Sequence, residues 1–166
     1  ILSVFSLTPY AEEIDSILFE KEKVSLGGYS GESQKEFGME AHLEDFIIEN
    51  WGRLSEFDKY EIYQEDGEMV GQQYITSIGR LDILARSKDG KEWLVIELKK
   101  GKSSDDVVGQ TLRYIGWVTE NLAQEGESVT GLIITGAEDE RLKYALATLN
   151  HVHFMTYKVS FSLEKK

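Results

Sequence analysis

The feature that most constrains how this chain folds is a pair of apolar stretches, residues 79–85 and 94–99, with charged residues set inside them. The segment between them contains Asp89-Gly90, a pair typical of tight hairpin turns. The pattern therefore predicts a hairpin of two largely apolar strands. Side chains alternate between the two faces of a strand, so Leu81 and Asp82 are expected on opposite faces.

Three charged side chains interrupt these strands: Asp82 on the first, and Glu97 and Lys99 on one face of the second. A buried charge is costly unless it is paired or binds a metal, so the hairpin is expected to bring these groups together. Proteins hold Mg²⁺ through one or two carboxylates, water and substrate phosphate oxygens. A lysine beside the metal can act on the attacking water and offset negative charge. The residues thus indicate a site for a divalent cation and an activated water.

At these positions the sequence resembles the PD-(D/E)XK nuclease superfamily, with Asp82 as the single acidic residue and Glu97-Leu98-Lys99 as the E-x-K motif. The longer pattern, with 79–81 before the aspartate and a Gly-Gln-x-x-Arg-Tyr run at 109–114, most resembles the NucS-type endonucleases. Leu81 stands where the superfamily name has a proline. The resemblance implies a Mg²⁺-dependent endodeoxyribonuclease, with Mn²⁺ as an alternative metal, that cuts DNA in repair or at branched or mismatched sites.

The resemblance also implies residue roles. Asp82, Glu97 and the Leu98 carbonyl would bind the metal, Lys99 would position or deprotonate the attacking water, and Gln110 would orient it. Contacts with DNA are expected from Arg80, Lys100, Lys102, Arg113 and Tyr114.

A third acidic residue is expected from an amphipathic helix over residues 36–51, because the resembled family places a glutamate of its first helix in the acidic site. Glu40 lies about 80° from the centre of the apolar stripe of this helix, and Glu44 about 120°. Glu40 is therefore the first choice and Glu44 the alternative.

Periodicity predicts the remaining elements: a strand at 72–76, a helix from Ser103 or Ser104 to Leu122, a strand at 129–135, a helix at 138–149 and a strand at 152–159. Residues 53–71 are expected to form an irregular connection. A helical crossover makes the strand at 129–135 parallel to the E-x-K strand. The predicted fold class is α/β, a restriction-endonuclease-like sandwich with a central mixed β-sheet flanked by helices. Residues 36–166 would form this nuclease-like domain, and residues 1–35 an N-terminal extension that packs on the core or ends a missing preceding region.

The formal charge of −12, from 18 Lys/Arg and 30 Asp/Glu, argues against tight binding of a phosphate backbone. Between Arg80 and Val118, however, eight basic and six acidic residues give +2, so the rest of the chain carries −14. The candidate site lies in the least acidic part of the chain. Because the chain begins with Ile1 and not methionine, we expect a missing N-terminal region; this region or a second subunit of a homodimer would supply most of the DNA affinity.

The absence of cysteine excludes disulfides, zinc–thiolate sites and a thiol nucleophile. No apolar run approaches the length of a membrane span and no signal-peptide pattern is present, so a cytoplasmic protein with no membrane partner is expected. His151 and His153 share a strand face, but no third ligand is evident and a metal pair is disfavoured. Two alternatives remain open: a catalytically silent nuclease-like module, and an acidic interaction domain whose charges are solvated.

Overall fold

The structure, a computed structural model, describes residues 42–99, 106–137 and 139–158. Apart from Lys158, these residues belong to the unit Glu36–Tyr157. The predicted extension at 1–35 and the predicted helix start at Ser103 or Ser104 lie outside the described residues.

The elements follow one another in this order: α1 (42–49), two 3₁₀ turns (Trp51–Arg53 and Ser55–Phe57), β1 (Tyr60–Ile62), β2 (Gln64–Glu65), β3 (Glu68–Met69), β4 (Gln72–Thr76), β5 (Gly79–Ser87), β6 (Glu92–Lys99), α2 (Asp106–Asn121), β7 (Ser128–Thr135), α3 (Glu140–Leu146) and β8 (Val152–Thr156). The predicted helices and strands are present, and α3 and β8 both end about three residues earlier than the sequence pattern suggested.

The main sheet has the order β1–β5–β6–β7–β8, and β4 also pairs with β5. The β5–β6 hairpin is antiparallel, as predicted from its turn. β7 lies parallel to β6, and β8 parallel to β7, because helical crossovers connect these strands. The central mixed sheet predicted from the sequence is therefore confirmed.

Two apolar layers cover the sheet. One layer packs α2 on the sheet and is called the α2-side core: Leu81, Leu84, Trp93, Val95, Val107, Val108, Tyr114, Ile115, Val118, Ile133, Leu142 and Val152. The other layer includes Ile47 of α1 and is called the α1-side core: Ile47, Leu54, Phe57, Tyr60, Ile83, Ala85, Leu94, Ile96, Leu98, Leu132 and Ile134. Burial on both faces explains why β6 has an almost continuous apolar sequence.

A close approach of α2 to β7 depends on Gly131. A Cβ atom at this position would lie 2.7 Å from Thr111 Cγ2 and 2.8 Å from Ile115 Cδ1. Glycine thus lets the helix lie directly on the strand that follows it in sequence.

The expectation of an irregular connection at 53–71 is wrong. Tyr60 and Ile62 are buried on either side of exposed Glu61, but three residues are too few for this alternation to stand out in the sequence. Asp66 and Gly67 both have positive φ, 51° and 84°, and they form the turn of the β2–β3 hairpin. The chain therefore leaves the sheet after β1 and returns to it at β4.

The base of this excursion is fastened to Leu84. Tyr63 donates its N–H to the Leu84 carbonyl at 2.9 Å, and Leu84 donates its N–H to the Gly71 carbonyl at 2.7 Å. A Cβ atom at Gly71 would lie 2.2 Å from the Leu84 carbonyl oxygen, so only glycine fits. β1 and β4 consequently share one edge of β5, with the hairpin between them. Among the described residues no helix is long and apolar enough to cross a membrane.

Candidate functional site

Two carboxylates lie at the open end of the β5–β6 hairpin. The last recorded pair of this ladder is Ile83 with Ile96, and the next residues along the two strands are Asp82 and Glu97. Asp82 Oδ2 accepts a hydrogen bond from the backbone N–H of Leu98 at 2.8 Å. Asp82 is partly buried and Glu97 is 0% exposed. The hairpin therefore places the Asp82 carboxylate against the backbone N–H of Leu98, the residue that follows Glu97.

The alternation expected along β5 is wrong at this point. Ile83 packs in the α1-side core and Leu84 in the α2-side core, as alternation requires. Leu81, expected beside Ile83, packs instead with Leu84 in the α2-side core. The break falls at Asp82, the residue whose side chain takes the N–H of Leu98.

A third carboxylate reaches this end from α1. Glu44 is 5% exposed, and its Oε1 accepts a hydrogen bond from Gln72 Nε2 at 2.9 Å. Its Oε2 accepts a hydrogen bond from Gln73 Nε2, which also lies 3.4 Å from Asp82 Oδ1. A single amide nitrogen thus stands between the Glu44 and Asp82 carboxylates.

The environment of Glu44 shifts its pKa. Burial raises the pKa of the carboxyl, the hydrogen bonds from Gln72 and Gln73 oppose this rise, and the negative charge of Asp82 adds to it. Glu40, the first choice from the helical wheel, lies outside the described residues. Among the described residues of α1, Glu44, the alternative, shares the Gln73 amide with Asp82.

Tyr114 of α2 connects the helix to the same end of the hairpin. Its hydroxyl donates a hydrogen bond to the Arg80 carbonyl at 2.8 Å. Burial raises the pKa of this hydroxyl, and the negative charges of Glu97 and Asp82 raise it further, whereas a hydrogen bond with Gln110 lowers it. The ring of Tyr114 is 7% exposed and lies in the α2-side core.

The basic residues named from the sequence lie at the edge of this region. Lys99 is the last residue of β6, pairs with Thr135 of β7 and is partly exposed. Arg80 and Arg113 are exposed. The charge of Arg113 lowers the pKa of Tyr114, which places it within electrostatic reach of that hydroxyl. Lys100 and Lys102 lie outside the described residues.

The donor chemistry of the site limits which metal it fits. Within 42–99, 106–137 and 139–158, no group of three or more His, Cys, Asp or Glu side chains could hold a metal by itself. Asp82 and Glu97 are a two-carboxylate set, which suits Mg²⁺ or Mn²⁺ completed by water and phosphate oxygens. Structural zinc sites need nitrogen or sulfur ligands, and His151 and His153 are both exposed. The pair therefore fits a hard divalent cation.

A mixed sheet with an aspartate and a glutamate on neighbouring central strands, a lysine two residues further on, and helices packed on both faces defines a restriction-endonuclease-like α/β domain. The chain belongs to the family described as "Endonuclease NucS C-terminal domain", which matches residues 39–145. This match confirms the resemblance seen between Gly79 and Tyr114.

Known relatives agree with this family. Endonuclease NucS of Streptomyces griseus subsp. griseus is 33% identical over 78 residues, which cover 47% of this chain and 30% of the relative. A repair endonuclease from Pyrococcus abyssi has a similar structure, with a TM-score of 0.57 and 21% identity over 81% of this chain and 50% of that one. The structure of an EndoMS–dsDNA complex gives a TM-score of 0.57 and 20% identity over 74% of this chain and 46% of that one.

These likenesses have a limited reach. At 20–21% identity the two solved structures show the fold alone, and they confirm the restriction-endonuclease-like fold class. The chain spans about a third of the length of the curated relative and about half of the two solved structures.

Sequence reasoning missed the two glutamines that contact Glu44. Gln72 and Gln73 open a predicted strand, where polar residues are ordinary and no motif marks them. The decisive property of Gln73 is its positive φ of 50°, and nothing in its residue type indicates such a conformation.

Proposed function

We propose that this domain is a Mg²⁺-dependent endonuclease that hydrolyses phosphodiester bonds of DNA, with Mn²⁺ as an alternative metal. The observation that carries the proposal is the arrangement of Asp82 and Glu97 on neighbouring strands of a NucS-family domain. The position of Lys99 two residues beyond Glu97 supports it, because an E-x-K strand needs both groups on one face.

The proposed roles are those that the resemblance to the PD-(D/E)XK nucleases implies, and the chemistry of the residues is compatible with them. Asp82, Glu97 and the Leu98 carbonyl would hold the metal, which when bound lowers the pKa of water and polarises the phosphodiester. Lys99 would position the attacking water or take its proton, and Gln110 would orient that water. The water oxygen forms a bond to phosphorus while the bond from phosphorus to the departing sugar oxygen breaks.

Other residues would support this centre. We assign Glu44 to the first-helix position because it shares the Gln73 amide with Asp82; Glu40 stays a prediction. Tyr114 would act through its hydrogen bond to the Arg80 carbonyl, which holds Arg80 at the site. Direct contacts with phosphates are assigned to Arg80, Lys100, Lys102 and Arg113.

The relatives guide the choice of substrate. The Pyrococcus abyssi protein is named as a repair endonuclease, and EndoMS was solved with double-stranded DNA. We therefore propose double-stranded DNA with a branch or a mismatch as the substrate, cut during repair in the cytoplasm.

The charge distribution sets the expected affinity. With a net charge of −12, the chain alone should bind DNA weakly, and residues outside it or a second copy would supply the remaining contacts. A plot of DNA affinity against salt concentration should be shallow without metal and should shift to tighter binding when Mg²⁺ is added. Tight, strongly salt-dependent binding by the metal-free chain would contradict this part of the proposal.

The central experiment is a cleavage assay on matched, mismatched, branched and single-stranded DNA with Mg²⁺, Mn²⁺ or EDTA. Asp82→Asn, Glu97→Gln and Lys99→Ala should each abolish metal-dependent cleavage. Matched controls come from the turn end of the same hairpin, where Asp89→Asn and Glu92→Gln should leave cleavage unchanged. Cleavage that survives Asp82→Asn would show that the metal binds elsewhere. DNA binding without any cleavage would instead favour the catalytically silent module.

A further inference from the structure

Two consecutive residues, Gln72 and Gln73, direct their side-chain amides to the same carboxylate, that of Glu44. In a regular strand, neighbouring side chains point to opposite faces of the sheet, so both could not reach one acid. Gln73 escapes this constraint because its φ is 50°, in the left-handed region that residues with a Cβ rarely adopt.

The distortion is confined to one residue. Gln72 pairs with Ile83 and Tyr74 pairs with Leu81, so β4 keeps one register on β5 on both sides of Gln73. A backbone irregularity held inside an otherwise regular strand costs conformational energy, and such residues cluster at functional sites. In this strand the positive φ of Gln73 directs its side chain toward Glu44.

The amide of Gln73 lies between two like charges. Its Nε2 donates to Glu44 Oε2 and lies 3.4 Å from Asp82 Oδ1. Asp82 is fixed on its other oxygen by the Leu98 N–H at 2.8 Å. These contacts form a continuous path from α1 through β4 and β5 to β6.

Gln72 provides a natural comparison. Its Nε2 donates to Glu44 and to Asp45 at 3.0 Å, an exposed acid of the same helix. Both glutamines therefore hold α1, but of the two only Gln73 has a recorded contact with Asp82.

We propose that Gln73 is a positioning residue: its amide sets the distance between the Glu44 and Asp82 carboxylates, and its left-handed backbone brings the amide to that place. The effect on cleavage rests on the proposed nuclease function, whereas the contact between Gln73 and Asp82 does not.

The contact is tested by NMR of the side-chain amides in the metal-free 166-residue chain, with resonances assigned from Gln72→Ala and Gln73→Gly. Asp82→Asn should shift the Gln73 Nε2 resonance and leave that of Gln72 in place, because only Gln73 borders the lost charge. Glu44→Gln should shift both resonances. A Gln73 resonance that ignores Asp82→Asn would overturn the proposal.

The functional consequence is tested with three variants. Gln73→Gly keeps the left-handed backbone without steric cost and removes the amide, Gln73→Asn keeps a shorter amide in a residue that tolerates this backbone, and Gln72→Ala is the matched control. Gln73→Gly should weaken Mn²⁺ binding, measured by EPR, and should slow cleavage, each by about 10- to 100-fold, because residues that contact metal ligands change metal affinity by this amount. The Tm of this variant should stay the same or rise. Gln73→Asn should recover part of the loss, and Gln72→Ala should change both quantities by less than about threefold.

The outcomes distinguish the positioning role of Gln73 from the proposed nuclease function. A Gln73→Gly variant with a higher Tm but unchanged Mn²⁺ affinity and cleavage would overturn the positioning role. A wild-type chain that neither binds Mn²⁺ nor cleaves DNA would overturn the proposed nuclease function, while a Gln73 resonance that still responds to Asp82→Asn would uphold the positioning of the two acids.

Discussion

The two ends of the β5–β6 hairpin treat buried charge in opposite ways. At the turn end, Glu92 accepts hydrogen bonds from Tyr60 Oη at 2.6 Å, Lys59 Nζ at 2.8 Å and Thr130 Oγ1 at 3.0 Å. Arg86 forms an ion pair with Glu127 there. Acids at this end are matched with bases and hydroxyl donors.

The open end has three acids: Glu44 and Asp82, which share the Gln73 amide, and Glu97, which follows the last pair of the ladder. The contacts described for Glu44 and Asp82 come from neutral amides of side chains and backbone, which hold the carboxylates in place without neutralising them. The pKa shifts show the contrast directly. Burial raises the pKa of Glu92 but is outweighed by its hydrogen bonds, so its pKa is lowered, whereas burial prevails at Glu44 and its pKa is raised. The environment of Glu92 thus favours the ionised carboxylate, and that of Glu44 disfavours it.

The largest effect expected from this contrast is on catalysis. Glu97→Gln should lower kcat/KM for DNA cleavage about 1,000-fold, equivalent to about 4 kcal/mol of transition-state stabilisation, because a metal ligand is lost. The Tm of the metal-free protein should not fall, since repulsion with Asp82 is relieved. Glu92→Gln, the same change at the turn end, should leave kcat/KM within about threefold of wild type. Equal losses from both variants would remove the distinction between the two ends.

The next largest effect is on stability, and here the turn end of the hairpin should be more sensitive to substitution than the open end. Glu92→Ala should lower the free energy of unfolding by about 2 kcal/mol, because the half-buried hydroxyls of Tyr60 and Thr130 lose a charged acceptor. Lys59→Ala is the control and should cost less than about 0.5 kcal/mol, since the Lys59 side chain is 62% exposed and its ion pair is screened. Urea denaturation of the metal-free protein measures both. If Lys59→Ala lowers the free energy of unfolding as much as Glu92→Ala does, the stabilisation comes from the Lys59–Glu92 ion pair and not from the hydroxyl donors.

A smaller effect is the sign of the pH dependence. The pKa of Glu92 is lowered from its ordinary value of 4.5 in the folded state, so its stabilisation is complete above pH 4.5 and is lost as the pH falls through the folded value. The pKa of Glu44 is raised from 4.5, so this residue costs nothing below pH 4.5 and destabilises the fold as the pH rises through the folded value.

Substitution by glutamine separates the two contributions. At about pH 7 in EDTA, well above the ordinary carboxyl pKa of 4.5, Glu92→Gln should unfold at lower urea concentration than wild type and Glu44→Gln at higher concentration. Both differences should shrink on acidification. Differences of the same sign would show that the two carboxylates have similar environments after all.

The smallest effect concerns the link between α2 and the open end. Tyr114→Phe removes the hydrogen bond to the Arg80 carbonyl and should lower the free energy of unfolding by about 1 kcal/mol. Tyr144→Phe, at a tyrosine that is 76% exposed, is the matched control and should have no measurable effect. Cleavage by Tyr114→Phe should fall less than cleavage by Glu97→Gln, since Tyr114 acts through Arg80. A loss as large as that of Glu97→Gln would assign Tyr114 a direct part in the chemistry.

The hairpin itself was predictable, because the apolar runs and Asp89-Gly90 are local signals. Its consequence, Asp82 against the backbone of Leu98, follows from strand pairing. The contacts of Glu44, the alternative to Glu40, were not predictable, because a helical wheel measures only the angle from the apolar stripe and ignores which strand lies beside the helix. Gln72 and Gln73 of β4 both donate hydrogen bonds to Glu44, and the positive φ of Gln73 lets the second side chain reach it. Tertiary contacts of this kind leave no periodic trace in the sequence.

The small β2–β3 hairpin has a consequence for how this domain can change over time. Tyr63 and Gly71 are both hydrogen-bonded to Leu84, so the excursion is closed at its base, and its tip at Asp66-Gly67 is exposed. Residues can therefore be added or removed at the tip without moving β4, while the base tolerates no side chain at Gly71. We therefore expect relatives of this domain to differ in length at the tip of the hairpin while β4 keeps the same position on the sheet.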